Sequence, residues 1–202
     1  MAVGRPKRVS DHDVLAQARR LFLTEGHAAS TRAIAQHAGL SQAALVQRFG
    51  SKDKLFIAAV RPDALDIETI LGTEDDAQRL GGVEYLAQVA DRLLDVLGSQ
   101  IPRLLHLHQH PAITAAALTA AHEHLGVEAL VAAFRRRVGW MQRHQVLARH
   151  VASETVVDGV LTLVHGVAFM RLASGAPVAK QQTRLRRLVR AFFSPVVAEG
   201  VR

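Results

Sequence analysis

Apolar residues along the chain recur at intervals of three and four, and the alternation that marks a half-buried strand persists nowhere. The pattern predicts an all-α protein. Val14, Leu15, Ala18, Leu21 and Phe22 fall on one face of a first helix, which Ser10 caps and whose first turn Asp11 and Asp13 favour electrostatically. Gly26 ends it. Ser30 or Thr31 caps a second, short helix with Ile34, Ala35 and Ala38 facing inward, and Gly39 supplies a left-handed C-cap before Leu40. Ser41 caps a third helix running to about Phe49. Two helices joined by a turn of about three or four residues containing Gly make a helix-turn-helix.

Arg61-Pro62 breaks the helical pattern, because the residue before proline is pushed out of the α region, and the stretch through Gly81-Gly82 is acidic and turn-rich. This predicts a junction between a helix-turn-helix domain over residues 1–60, with residues 1–9 as a basic arm, and a larger helical bundle over residues 61–202. In the second part, residues 83–98 are amphipathic, a shorter helix starts at Pro102 and stops at Pro111, and a stretch over 114–143 has Gly126 as a break point. Ser153 caps a long helix through Ala173, and a last helix spans roughly residues 181–193. The total is nine or ten helices.

Charge points to a partner. The chain has 25 Lys and Arg against 18 Asp and Glu, a net +7, and nine of those bases but only four of the acids lie in the first 60 residues. A basic N-terminal third favours a polyanion, although a GC-rich coding bias also enriches Arg. The absence of Cys excludes a thiol nucleophile, a thiolate metal site and a disulfide frame. No signal peptide is read at the start, and no run reaches 18 continuous apolar residues, so a soluble, cytoplasmic protein without a membrane partner is expected.

The third helix shows where such a partner is read. At 100° per residue from the inward Leu45, Ala43 and Gln47 point most nearly outward, flanked by Ala44 and Val46. That face is short, uncharged and lightly apolar, which suits a major groove: Gln pairs bidentately with adenine, and Ala or Val touches a thymine methyl. Arg32, Arg48 and Lys52 stand where phosphates run, and Arg5, Lys7 and Arg8 form an arm that adds attraction to DNA.

The run STRAIAQHAGLSQAALVQRFGSKDKLFIAAV, preceded by LFLTEGHAA, resembles the DNA-binding domain of the TetR (tetracycline repressor) family of transcriptional regulators. The resemblance covers about residues 10–60. It implies that Thr31 and Lys52 contact phosphate, that Arg32, Gln42 and Ala43 reach base edges, and that Gln47 and Arg48 approach the backbone. Two positions depart from the family: Val46 stands where a Tyr is common, and Ala44 replaces a frequent Thr or Ser, so binding should lean more on Arg48, Lys52 and the arm.

The resemblance further implies a homodimer and a small-molecule effector. Leu185, Leu188, Val189, Phe192 and Phe193 follow an amphipathic spacing in the last helix, with Arg184, Arg187 and Arg190 opposite, while the preceding helix, around Leu161, is apolar nearly all round. The expected dimer interface is therefore Leu161, Leu185, Leu188, Val189 and Phe192. Candidate walls of an effector pocket are Leu86, Ala90, Leu104, Phe134, Met141, His165 and Phe169, which suit an apolar or weakly polar molecule.

Histidines are the anomaly. His106, His108 and His110 precede Pro111, and His122 and His124 flank Glu123; on a helix His106 and His110 share a face at a spacing workable for zinc or nickel. Solvated histidine near a loop is the plainer reading, so no metal and no cofactor are assigned. There is no Gly-rich phosphate loop after a strand, no G-x-S-x-G and no H-E-x-x-H, so an enzyme is not expected. The sequence reads as a ligand-responsive DNA-binding regulator, expected to be a repressor that binds a palindromic DNA operator as a homodimer and is released by a small apolar effector. Its alternatives are a constitutive DNA-binding dimer and a metal-responsive regulator using the His106/His110 region.

Overall fold

The computed structural model describes residues 9–175 and 177–196. Arg5, Lys7 and Arg8 of the basic arm lie outside the described residues. Among the described residues there are eleven α-helices, two short 3-10 turns and no strand. The chain divides into two compact units, and they are not two consecutive stretches: residues Ile101–His124 join the first unit, which otherwise ends at Asp63, while Ala64–Gln100 and everything from Leu125 onward form the second.

In the first unit, α1 (Asp11–Glu25) leads through a 3-10 turn at Gly26–Ala28 to α2 (Thr31–His37), α3 (Gln42–Phe49) and α4 (Lys52–Val60). Each start follows from a serine that offers its hydroxyl to a free amide: Ser10 to Asp13, Ser30 to Ala33, Ser41 to Ala44 and Ser51 to Lys54, at 3.0–3.2 Å. Val14, Ala18 and Phe22 of α1 pack with Ile34, Ala35, Leu45, Leu55, Phe56 and Ala59, and Leu107 and Ala121 close the same core. Those last two come from α7 (Gly82–Gln109) and α8 (Ala115–Leu125).

α7 corrects the expectation of two helices separated before Pro102. It is a single helix of 28 residues with Pro102 inside it. Proline removes one hydrogen bond and crowds the carbonyl four residues earlier, a penalty that tertiary packing on both sides of the position outweighs here. The division between the units falls just before it, at Gln100 and Ile101.

Arg103 on this helix is almost fully buried and grips Asp63 with both guanidinium nitrogens, at 2.6 and 3.1 Å, while Arg19 of α1 stands 3.7 Å from the same carboxylate. The hydrogen bond from Arg103 is the largest influence holding the Asp63 carboxyl below its usual range, aided by Arg19 and His124. A carboxylate with a depressed folded-state pKa stabilises the fold fully above its unfolded value, about 3.9, and loses that contribution as pH falls through the folded one. Asp63→Asn is therefore expected to lower the urea midpoint at pH 7, with the gap to the parent narrowing as the pH drops below about 4; a gap independent of pH would contradict the pairing.

The second unit holds α5 (Ile67–Leu71), α6 (Glu74–Leu80), the first part of α7, α9 (Val127–Arg143), α10 (Ser153–Ser174) and α11 (Val178–Phe193), followed by a 3-10 turn. The two short helices α5 and α6 occupy the stretch read from sequence as an acidic junction. α6 forms because Thr73 and Asp76 exchange hydrogen bonds at 3.0 Å in a capping box, which holds the Asp76 carboxyl down to about 2. Gly126, at φ +75, breaks α8 from α9 as expected.

Tyr85, Leu86, Ala90, Leu94, Phe134, Val138, Met141, Val160, Val164, Leu185 and Val189 are buried in this unit. The Tyr85 hydroxyl donates to the Leu71 carbonyl at 3.0 Å, and burial pushes its pKa up to about 12. α11 is fixed to α7 by ion pairs of Arg186 with Asp91 and of Arg190 with Glu84, the latter at 2.8 Å. Among the described residues, α10 is the one helix long and apolar enough to cross a membrane by length and composition, yet only 33% of its most apolar window is buried within this chain.

Candidate nucleic-acid interface

The turn between α2 and α3 is built around Gly39, whose φ of +69 few other residues adopt without strain. The Leu40 amide then donates to the Ala35 carbonyl at 2.8 Å, closing the turn and aiming α3. Leu45 is the buried anchor of α3, with Phe49 and Ala44 half-buried, while Gln42, Ala43, Val46, Gln47 and Arg48 are exposed. The outward face deduced from Leu45 is the face the structure presents to solvent. Val46 is 47% exposed, a β-branched apolar side chain on water with no core role.

The remaining DNA-contact candidates surround this face. Arg32 is exposed on the first turn of α2, Thr31 is half-buried beside it, and the Gln42 amide donates to the Thr31 hydroxyl at 3.1 Å, which couples the two helix starts. Lys52 is half-buried on the first turn of α4 and donates to the His27 carbonyl. Arg48 is engaged as well: it donates to the Val9 carbonyl at 3.0 Å and pairs with Asp11. Sequence reasoning missed that partner, since 37 positions separate the two residues. A pair this exposed contributes only about 0–1 kcal/mol, so a phosphate can replace Asp11 at little cost.

The effector candidates are not brought together. Leu86, Ala90, Phe134 and Met141 are fully buried, packed core of the second unit. Leu104 is half-buried on the part of α7 that belongs to the first unit. His165 and Phe169 point outward from α10, and Phe169 is 71% exposed. The second unit instead has a cleft of about 710 Å³ where α5 and α9 meet, with Leu71, Glu68, Glu74, Arg136, Trp140 and Arg143 among its lining. Its charged residues look in sequence like an ordinary solvated helix face.

The dimer candidates divide likewise. Leu185 and Val189 are fully buried in the second unit, which removes them from any partner surface; Leu161 and Leu188 are half-buried, and Phe192 is 64% exposed. Leu185 and Val189 of the amphipathic stripe of α11 pack into the chain's own core, with α10 against them. Of the histidines, His110 falls just past the end of α7 and so does not share a helix face with His106. It turns instead toward His27 and Asp53. His108 meets His122 edge-on at 5.8 Å.

A short capped helix, a glycine turn and a second capped helix with an uncharged exposed face define a helix-turn-helix DNA-binding domain. Residues 14–59 match the family model of bacterial regulatory proteins, tetR family. The match covers the helix-turn-helix segment, about a quarter of the chain, and makes that segment similar to the DNA-binding domain of the family. Solved structures share the fold over nearly the whole chain. A TetR transcription regulator from Haloarcula marismortui aligns with a TM-score of 0.64 at 16% identity, over 92% of this chain and 96% of its own. NalD, the secondary repressor of the MexAB-OprM multidrug efflux pump in Pseudomonas aeruginosa, aligns at 0.57 and 20% identity, over 93% and 96%. A TetR-like transcriptional regulator from Rhodococcus sp. RHA1 aligns at 0.57 and 22%, over 93% and 98%. A search of curated proteins finds no match.

Proposed function

We propose that this DNA-binding regulator is a homodimeric repressor that occupies a palindromic operator and is released by a small-molecule effector. The observation that carries the DNA reading is the solvent-facing row Gln42, Ala43, Val46 and Gln47 on α3, bounded by Arg32, Arg48 and Lys52. Gln42 and Gln47 bring bidentate donors and acceptors for adenine, Ala43 and Val46 bring apolar contact for thymine methyls, and the three cations with Thr31 take the phosphates. Such a protein works in the cytoplasm, where its DNA is.

Dimerisation follows from the surfaces left uncovered. Phe169, Met170 and Leu172 on α10 and Phe192 on α11 are exposed large apolar residues. A second copy of the same surface would cover them, and a two-fold dimer is what a palindrome with half-sites about 34–36 Å apart requires. Effector response is assigned to the cleft at α5 and α9, whose volume suits a small ligand. Trp140 and Leu71 beside Arg136, Arg143 and two glutamates fit an amphipathic, charged molecule better than the apolar or weakly polar one expected from sequence. Release of the operator requires the effector to favour the non-binding state by about 1–3 kcal/mol.

Fluorescence-anisotropy titrations at several salt concentrations, on operator DNA selected from genomic fragments, test the interface. Lys52→Ala is expected to weaken binding to specific and random DNA alike and to reduce the salt slope by about one, whereas Gln42→Ala relaxes sequence preference. A Lys52→Ala variant that alters specificity and leaves the salt slope intact would overturn the assignment.

A further inference from the structure

The first unit gathers three metal-ligating side chains that the DNA reading does not use. His27 lies in the 3-10 turn after α1, Asp53 in the first turn of α4, and His110 just beyond the end of α7. The His110 Nε2 atom is 3.0 Å from His27 Nδ1 and 3.5 Å from Asp53 Oδ1, and one ligand atom from each residue lies within 4.8 Å of the others. In a tetrahedral zinc site with bonds of 2.0–2.2 Å, neighbouring ligand atoms stand about 3.4 Å apart. We propose that His27, Asp53 and His110 form a binding site for a divalent zinc-class cation that fastens the end of α7 to the first turn of α4.

The cluster has the gradation such a site needs. The His110 ring is buried and stacked on Phe56, with centroids 4.2 Å apart and 24° between planes, so its orientation is set by the core. Asp53 is half-buried and His27 exposed, leaving an open side for entry and for a water as fourth ligand. Two imidazoles and a carboxylate suit zinc. Burial, with His27 and Lys52 close by, opposes a proton on His110 while Asp53 favours one, and the net direction of its pKa is downward.

The proton balance is explicit. The Ala112 amide donates to His110 Nδ1 at 3.2 Å, so the metal-free ring carries its proton on Nε2 and donates it to His27 Nδ1. Binding a cation through Nε2 moves that proton to Nδ1 and releases the Ala112 amide, which is exposed and passes to water. His27 Nδ1 gives up its accepted hydrogen bond and takes the metal instead. The Lys52 ammonium beside the cluster donates to the His27 carbonyl.

The site does not depend on what α3 reads. Full-length protein stripped with a chelator and titrated calorimetrically with zinc alone should bind one ion per chain, with the thermal midpoint rising as zinc increases. Cobalt(II) in its place should give the intense visible bands of tetrahedral coordination. His27→Ala and the near-isosteric Asp53→Asn should each weaken binding more than about tenfold, the lower end of what removing even an outer-shell partner of a metal site costs. A His108→Ala/His122→Ala double variant should bind as the parent does. The proposal is overturned by no zinc uptake, by uptake at parental affinity in both His27→Ala and Asp53→Asn, or by loss in the His108/His122 variant. Anisotropy on DNA without zinc reads the DNA function separately.

Discussion

Phe169→Asp is expected to sediment as a monomer and to bind operator DNA about 10²–10⁴-fold more weakly than the parent, the range that a lost second half-site contact commands. Phe169 is 71% exposed on a helix that is apolar on nearly every side, and Phe192 of α11 is 64% exposed. Covering one large apolar side chain is worth about 1.5–3 kcal/mol, and a two-fold axis doubles the gain. An aspartate there removes that gain and, across the axis, adds a repelling copy of itself. The side chain has little packing within its own chain to lose, so the thermal midpoint of the monomer should change little beyond the loss of mass-action stabilisation. Leu185→Asp is the contrast: Leu185 is fully buried in the second unit, so that substitution unfolds the protein. A Phe169→Asp protein that stays dimeric at micromolar concentration would move the interface elsewhere.

The difference between Leu185 and Phe192 also marks the limit of what a helical stripe reveals. Periodicity identifies which side of α11 is apolar, but Phe192 lies two turns beyond Leu185 on that same side, at the end of the helix, and only the packed structure shows Leu185 and Val189 buried and Phe192 on solvent. Local chemistry was more legible. The serines at 10, 30, 41 and 51 announce helix starts because a hydroxyl can reach an amide three residues on, and Gly39 and Gly126 announce turns because the backbone there has positive φ. The exposed face of α3 follows from one anchor, Leu45, and a fixed angle per residue. Long-range electrostatics left no such trace: Arg103 with Asp63, Arg48 with Asp11 and His110 with His27 are 40, 37 and 83 positions apart. Pro102 misled because its local cost is certain while the packing that outweighs it comes from distant residues.

Phe56→Ala is expected to lower the stability of the first unit by about 3–5 kcal/mol, the cost of removing a fully buried aromatic ring and leaving a cavity that close-packed neighbours cannot fill. Phe56 is 1% exposed, meets Phe22 of α1 edge-on at 5.0 Å and stacks on His110, so one ring joins α1, α4 and the chain segment after α7. Its removal acts on the reading head indirectly. α3 has eight residues and only Leu45 fully buried, too little to hold a helix without the core beneath it. A urea titration should show the midpoint shift, and DNA binding should fall in parallel as temperature rises, with the affinity recovering on cooling to a point where the unit is folded. Because Leu107 and Ala121 belong to the same core, Leu107→Ala should reproduce the pattern at about 2–5 kcal/mol although it lies far along the chain from α3. If Leu107→Ala left the melting of the helix-turn-helix untouched while Phe56→Ala collapsed it, residues 101–124 would not be part of that folding unit.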